Sequence, residues 1–245
     1  MLSPSPIPGL LITGTDTGIG KTVIAGTIAA WFLSQGKHVG VLKPMASGCV
    51  HRREGLVSED AEFLAHCADS SHPLDVIAPI RFAEPLAPAV AAQRLKEKID
   101  WTPIERSLQA IARDSDVLIV EGVGGIMVPM DDRHTMLDVA TWLRLPAVVV
   151  ARPNLGTINH TILTIEALRR ANVDVAGVVI NRYPAETAGL AEETNPRAIE
   201  KWGKIPVLCL VPEVKSPIGR YIPEDVAAAI AQVDWNRFSQ RSATR

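Results

Sequence analysis

Gly14 to Thr22 reads GTDTGIGKT, three glycines leading into an adjacent lysine and threonine. A glycine-rich turn between a strand and a helix leaves backbone N–H groups unpaired at the positive end of the helix, which makes an anion site. Lys21 adds a mobile positive charge for the β- and γ-phosphates of a nucleoside triphosphate. The Thr22 hydroxyl is suited to the magnesium ion that travels with them. The strict pattern GxxxxGK[ST] asks for glycine at position 15, where this chain has Thr15, and the glycine stands one place earlier at Gly14. Within this variant loop, Thr17, Gly18, Ile19 and Gly20, followed by Lys21, Thr22 and Val23 as the helix opens, are the nucleotide-binding candidates.

Three further polar residues sit where short apolar runs end. Glu121 closes VLIVE and is followed by Gly122, Val123, Gly124 and Gly125. A carboxylate at that edge could hold magnesium, and the glycines permit close backbone approach to a ligand; a plain charged strand end with a flexible turn is the alternative. Lys43 ends HVGVLK, where a second cation near the γ-phosphate would stabilise charge in phosphoryl transfer. Asn181 ends VAGVVIN and could bond a nucleotide base or simply cap its strand.

The elements that must carry these residues follow from pattern. Strands are expected over Leu10 to Thr13, His38 to Lys43, Val117 to Glu121, Ala147 to Ala151, Val175 to Asn181 and Pro206 to Val211, because each is a short apolar run bounded by breakers. Helices are expected over Lys21 to Gln35, Thr157 to Ala171 and Asn195 to Trp202, with Pro196 in a first turn, and a terminal helix that frays from Ala227 onward. Residues 44 to 116 form a long excursion with helical patches at Asp60 to Cys67, Ala87 to Leu95 and Pro103 to Arg113. Alternation of this kind, with strands apolar on both faces, predicts an α/β single-domain P-loop fold: a mostly parallel, doubly wound sheet covered by helices on both faces. Residues 1 to 8 read as a disordered proline-rich leader and 9 to 245 as the domain.

Composition excludes several classes of function. With 25 basic and 27 acidic residues the net charge is −2, so no global field favours nucleic acid or an anionic membrane. No apolar run approaches the ~20 residues that span a bilayer. Three dispersed cysteines without a CxxC pair point to a reducing, cytoplasmic setting and not to a disulfide framework. The six histidines lack metal-ligand spacing, and HRRE at His51 to Glu54 reads as a solvated loop.

Six segments in order, GTDTGIGKT, KPMASG (Lys43 to Gly48), SEDA (Ser58 to Ala61), FAEPLAP (Phe82 to Pro88), VEGVGG (Val120 to Gly125) and NLGTINH (Asn154 to His160), closely resemble the dethiobiotin synthetase family. The resemblance runs from about Leu10 to Pro212. It implies a magnesium-dependent reaction in which ATP is co-substrate: 7,8-diaminononanoate and CO2 become dethiobiotin through a carbamate and a carbamic-phosphoric anhydride. By matching segment it implies that Lys21 and Lys43 act on the transferring phosphoryl group, and that Thr22, Asp60 and Glu121 hold magnesium. Ser47 would contact the diamine or carbamate, Gly122, Val123 and Gly124 would approach phosphate and substrate, and Asn181 would face adenine. The family's homodimers would bring Leu155, Gly156 and Asn159 to the partner's diamine. Arg182 follows Asn181 where relatives carry an acidic residue, and the leader before Gly9 has no counterpart in the family pattern.

Two other classes use a similar loop. Switch ATPases of the partitioning and septum-positioning type carry an extra lysine near the loop's start, and none occurs from Thr13 to Ile19. Amidotransferase synthases of the cobalamin pathway need a glutaminase domain for which 245 residues leave no room.

Overall fold

The computed structural model describes residues 2–53, 55–214 and 221–239. In chain order the first half holds β1 (Gly9–Gly14), α1 (Lys21–Ser34), β2 (Val39–Leu42), β3 (Met45–Ser47), β4 (Val50–Arg52), β5 (Gly55–Val57), α2 (Glu59–Cys67), α3 (Leu74–Ile77), β6 (Ile80–Phe82), α4 (Pro88–Leu95) and α5 (Thr102–Arg113). The second half holds β7 (Val117–Gly125), α6 (Met136–Leu143), β8 (Ala147–Ala151), α7 (Thr157–Arg170), β9 (Val175–Tyr183), α8 (Leu190–Gly203), β10 (Val207–Pro212), α9 (Glu224–Ala231) and α10 (Asn236–Ser239).

Six strands form one parallel sheet in the order β10-β9-β8-β1-β7-β2. Side chains alternate between its faces. Leu10, Ile12, Ile119, Val148 and Val150 pack with α1, α2 and α9 on one side, and Leu11, Leu118, Val120 and Val149 pack with α5, α6 and α7 on the other. That two-sided burial is why these strands read as continuous apolar runs. The chain leaves β1 towards β2 and leaves β7 towards β8, on the opposite side. The carboxyl ends of β1, β7 and β2 therefore border the crevice in which open α/β sheets bind ligands.

Several sequence expectations need correction. The leader is packed, not disordered: Leu2 is buried in the core, the Ser5 N–H donates to the Leu143 carbonyl at 2.9 Å, and the Ser3 N–H donates to Glu105 at 2.8 Å. Burial of Leu2 together with these bonds outweighs the cost of ordering the segment. Helix α8 starts five residues before the expected Asn195, so Pro196 lies inside it and not in its first turn. Glu192 accepts the Gly189 N–H and opens the helix, and Asn195 Nδ2 donates to the Pro153 carbonyl at 2.7 Å, fixing the helix ahead of the proline. HRRE is not a loop: His51 and Arg52 belong to a β4–β5 hairpin tied to α2 by Arg52 and Glu62, while Glu54 lies outside the described residues. The tail forms α9 and α10 around a fully buried Trp235, whose indole N–H donates to the Ile230 carbonyl. Residues 240–245 of the expected fraying helix lie outside the described ones.

Candidate active site

The candidate side chains converge because their strands are neighbours. Thr22 sits in the first turn of α1 after β1, Lys43 follows β2, and Glu121 lies on β7 between them in the sheet. Asp60 comes from the first turn of α2, capped by Ser58, whose hydroxyl accepts the Ala61 N–H. Helix α2 reaches α1 closely because position 26 is glycine: a Cβ there would meet the Phe63 ring at 2.4 Å and Cys67 Sγ at 2.9 Å. Contact this tight sets Asp60 against Thr22, with Thr22 Oγ1 2.9 Å from Asp60 Oδ1 and 2.8 Å from Glu121 Oε1. One hydroxyl proton serves one carboxylate at a time.

Lys43 completes the cluster. Its ammonium bonds Glu121 Oε1 at 2.8 Å and Asp60 at shorter range, and all but a few per cent of its side chain is buried. Burial alone would lower the Lys43 pKa, but Glu121 and then Asp60 outweigh it and the pKa is raised. Burial would likewise raise the Asp60 carboxyl, yet the Lys43 charge brings it below the ordinary value. Glu121 is 1% exposed, and burial pushes its carboxyl up against the pull of Lys43. Lys21 is lowered by burial, with the like charge of Lys43 adding to the effect. Its ammonium donates to the Asp16 carbonyl at 2.8 Å.

These groups line a cavity of about 720 Å³. Of the residues singled out in the sequence, Thr17, Gly18, Gly20, Lys21, Thr22, Val23, Lys43, Ser47, Asp60, Glu121, Gly122, Val123, Gly124 and Arg182 all border it. The glycine segment reaches it through a register shift: β1 advances from Ile12 to Gly14 while β7 advances from Glu121 to Gly125, which throws Gly122 to Gly124 outward. Ser47 Oγ and Glu121 Oε2 are buried without a hydrogen-bond partner among the described residues. A second cavity of about 390 Å³ shares Thr17, Gly18 and Arg182 with the first and adds Ile19 and Asn181. Asn181 does more than end its strand. Its amide nitrogen donates to the Ile19 carbonyl at 2.9 Å and sits where a Cβ on Gly20, at φ 88°, would stand 2.2 Å away. Glycine at position 20 is thus required twice, by backbone angle and by Asn181.

Leu155, Gly156 and Asn159 border neither cavity; they lie on the loop before α7 and in its first turn, with Leu155 86% exposed. Conversely, Phe63, Pro85, Leu86, Ala87 and Val128 give the larger cavity an apolar wall that carried no site signal in the sequence, although Pro85 to Ala87 fall inside the FAEPLAP segment. Arg152, Asn154, Glu192 and Glu213 in the smaller cavity were likewise missed. Arg152 pairs with Asp16 across 136 residues, and no local pattern marks that contact.

A family model described as an AAA domain matches residues 8–218. The ATP-dependent dethiobiotin synthetase BioD of Thermodesulfovibrio yellowstonii is 36% identical over 211 residues, covering 83% of this chain and 88% of that protein. The protein of the same name from Haloferax mediterranei is 37% identical, covering 90% and 89%. The chain belongs to the dethiobiotin synthetase family. Among solved structures, dethiobiotin synthetase architecture as seen here resembles the MinD cell division protein of Aquifex aeolicus, with TM-score 0.56 and 15% identity over 92% of this chain and 94% of that one. It also resembles a ParA family ATPase from Chlorobium tepidum, with TM-score 0.55 and 18% identity over 95% and 98%. At such identities the likeness establishes the α/β P-loop fold alone.

Proposed function

We propose that the protein is an ATP-dependent dethiobiotin synthetase that closes 7,8-diaminononanoate and CO2 into a cyclic urea. The observation that carries the reading is the cavity in which a phosphate-binding loop, the buried Lys43–Glu121 pair with the partly exposed Asp60, and an apolar wall meet. A carbamate formed on one amine has a poor leaving oxygen. Transfer of the γ-phosphoryl group to that oxygen makes a mixed anhydride, and attack by the neighbouring amine closes the ring and expels phosphate. The catalytic residues of this reading are Lys21, Lys43 and Ser47. Lys43 stays charged in its cluster and neutralises the transferring group, Lys21 moves from the Asp16 carbonyl to the phosphates, and the Ser47 hydroxyl bonds the carbamate or an amine.

Two carboxylates and a hydroxyl, all hard oxygen donors, suit magnesium, and the unpartnered Glu121 Oε2 fits a cation beside it. Thr22, Asp60 and Glu121 would hold the ion, and when bound it supplies charge neutralisation at the phosphates. Asn181, its nitrogen engaged by Ile19, would offer its amide oxygen to adenine, with Arg182 at the cavity mouth. A homodimer would give the exposed Leu155, Gly156 and Asn159 a function at the partner's diamine. Three free, buried cysteines support a cytoplasmic setting, and no helix among the described residues is long and apolar enough to cross a membrane.

Incubation of the purified protein with the diamine, bicarbonate, magnesium and ATP should yield dethiobiotin by mass spectrometry, with one ADP per product. ATP turnover indifferent to the diamine, without dethiobiotin, would refute the assignment.

A further inference from the structure

Outside both cavities, Asp131 gathers three elements around one carboxylate. Oδ1 accepts the backbone N–H groups of Arg133 at 2.8 Å and His134 at 2.7 Å, and Oδ2 accepts the indole N–H of Trp101 at 2.6 Å. His134 Nδ1 lies 3.0 Å from one oxygen and 2.9 Å from the other. The His134 ring stands edge-on to Trp101, just before α5, with centroids 5.9 Å apart, and to Trp142 of α6 at 4.8 Å. So many donors on one carboxylate leave the turn little freedom, and a network this fully satisfied fixes geometry more than it adds stability.

The turn so fixed reaches the substrate cavity by two routes. A Pro129–Thr135 bridge closes it, and the Met136 N–H donates to the Val128 carbonyl at 2.9 Å. Val128 borders the cavity, and its Cγ2 lies where a Cβ on Gly124 would approach to 2.7 Å. The neighbouring Pro129 carbonyl accepts the Ala89 N–H at 3.2 Å, in the first turn of α4, and the residues just before that helix, Pro85 to Ala87, belong to the same apolar wall. Both routes reach the apolar wall, the first beside Gly124, and neither makes a contact with Lys21, Lys43, Asp60 or Glu121.

We propose that Asp131, with Trp101 and His134, forms a positioning cluster that sets the apolar wall for the hydrocarbon chain of the organic substrate. The inference rests on the ligase reading above. It is tested on the full chain by initial rates with the diamine and ATP varied separately. Asp131→Ala should raise KM for the diamine about tenfold and Trp101→Phe about threefold, with KM for ATP changed less than about twofold, since the first deletes every hydrogen bond to the carboxylate and the second only the indole one, all at a distance from the phosphates. Asp131→Asn should recover part of the loss, because its amide oxygen still accepts the backbone N–H groups. Should Asp131→Ala not fold, Trp101→Phe, which keeps an aromatic ring and deletes one donor, decides alone. A lower melting temperature with both KM values unchanged, or equal rises in both, would overturn the cluster's role. Wild-type protein without diamine-dependent turnover would overturn the ligase reading and this inference with it, and the wild-type control separates that outcome from failure of the cluster alone.

Discussion

The loop proposed to hold phosphate is one run of sequence, Gly14 to Thr22, from which Thr17, Gly18, Gly20, Lys21 and Thr22 border the larger cavity, whereas the apolar wall comes from Phe63 on α2, Pro85 to Ala87 ahead of α4, and Val128 after β7. The loop acts through backbone N–H groups of one turn and is local, while Lys43, Asp60 and Glu121 are brought to it by the neighbouring strands and α2. The wall exists only once α1 and α2 pack through Gly26 and the turn at Asp131 is fastened. Phosphate binding and organic-substrate binding are therefore built on contacts of different range, and substitutions should separate them.

The largest separation is expected at Lys43. Lys43→Gln should lower kcat by about 10²–10³, the size seen when one group that stabilises developing charge is removed, while ATP affinity changes a few-fold. Steady-state kinetics paired with calorimetric ATP binding checks this, and equal losses in both would break the distinction. Next, Gly26→Val should cost about 2 kcal/mol by driving a side chain into Phe63 and Cys67, and should lower kcat severalfold by shifting Asp60. Urea unfolding with parallel rate measurements tests it, and loss of stability without loss of rate would show that α2 tolerates displacement. Leu86→Ala should raise KM for the diamine by about 5–10-fold and leave KM for ATP alone, as expected for apolar area lost from one wall only.

Two smaller effects concern titration. The Asp131 carboxyl is held at about 2: burial acts to raise it, and hydrogen bonds led by that from His134 outweigh the burial. Its folded-state pKa is depressed, so its contribution is fully present above the ordinary carboxylate value of about 3.8 and is lost as pH falls towards 2. The stability difference between wild type and Asp131→Asn, about 1 kcal/mol after allowance for solvent screening, should narrow as acid unfolding curves are taken from about pH 5 to pH 2. Burial pushes Cys67 and Cys209 up to about 12. Neither thiol should be alkylated at pH 8 in the native protein, as peptide mapping will show, and labelling of either would mean that its covering helix opens readily.

The same contrast of range explains what the sequence disclosed. All six strands of the main sheet are visible because each keeps a short apolar run, through burial on both faces in the interior strands, as in AVVVA at Ala147 to Ala151, and in the edge strand β10 despite the exposure of Leu210. Lys43 and Glu121 are visible because strand ends in such a sheet face a crevice. Asp60 came only through family resemblance: its pairing with Thr22 spans 38 residues and depends on a glycine whose helical position gives no outward sign. The Arg152–Asp16 contact and the Trp101–Asp131 bond are invisible for the same reason. Pro196 misled because a first-turn proline is a good rule, yet capping by Glu192 started α8 earlier and Asn195 tethered it. The leader misled because proline content outweighed the two buried residues that hold it, Leu2 and Ser5.

The central claim is that the phosphoryl group goes to a carbamate oxygen in the cavity between these two walls. Supplying ¹⁸O-labelled CO2 with the diamine and ATP, and reading inorganic phosphate promptly by mass spectrometry, tests it directly. The account predicts phosphate that carries one oxygen from CO2, formed in step with dethiobiotin and only when the diamine is present. Phosphate whose new oxygen comes from water, released without the diamine, would contradict it.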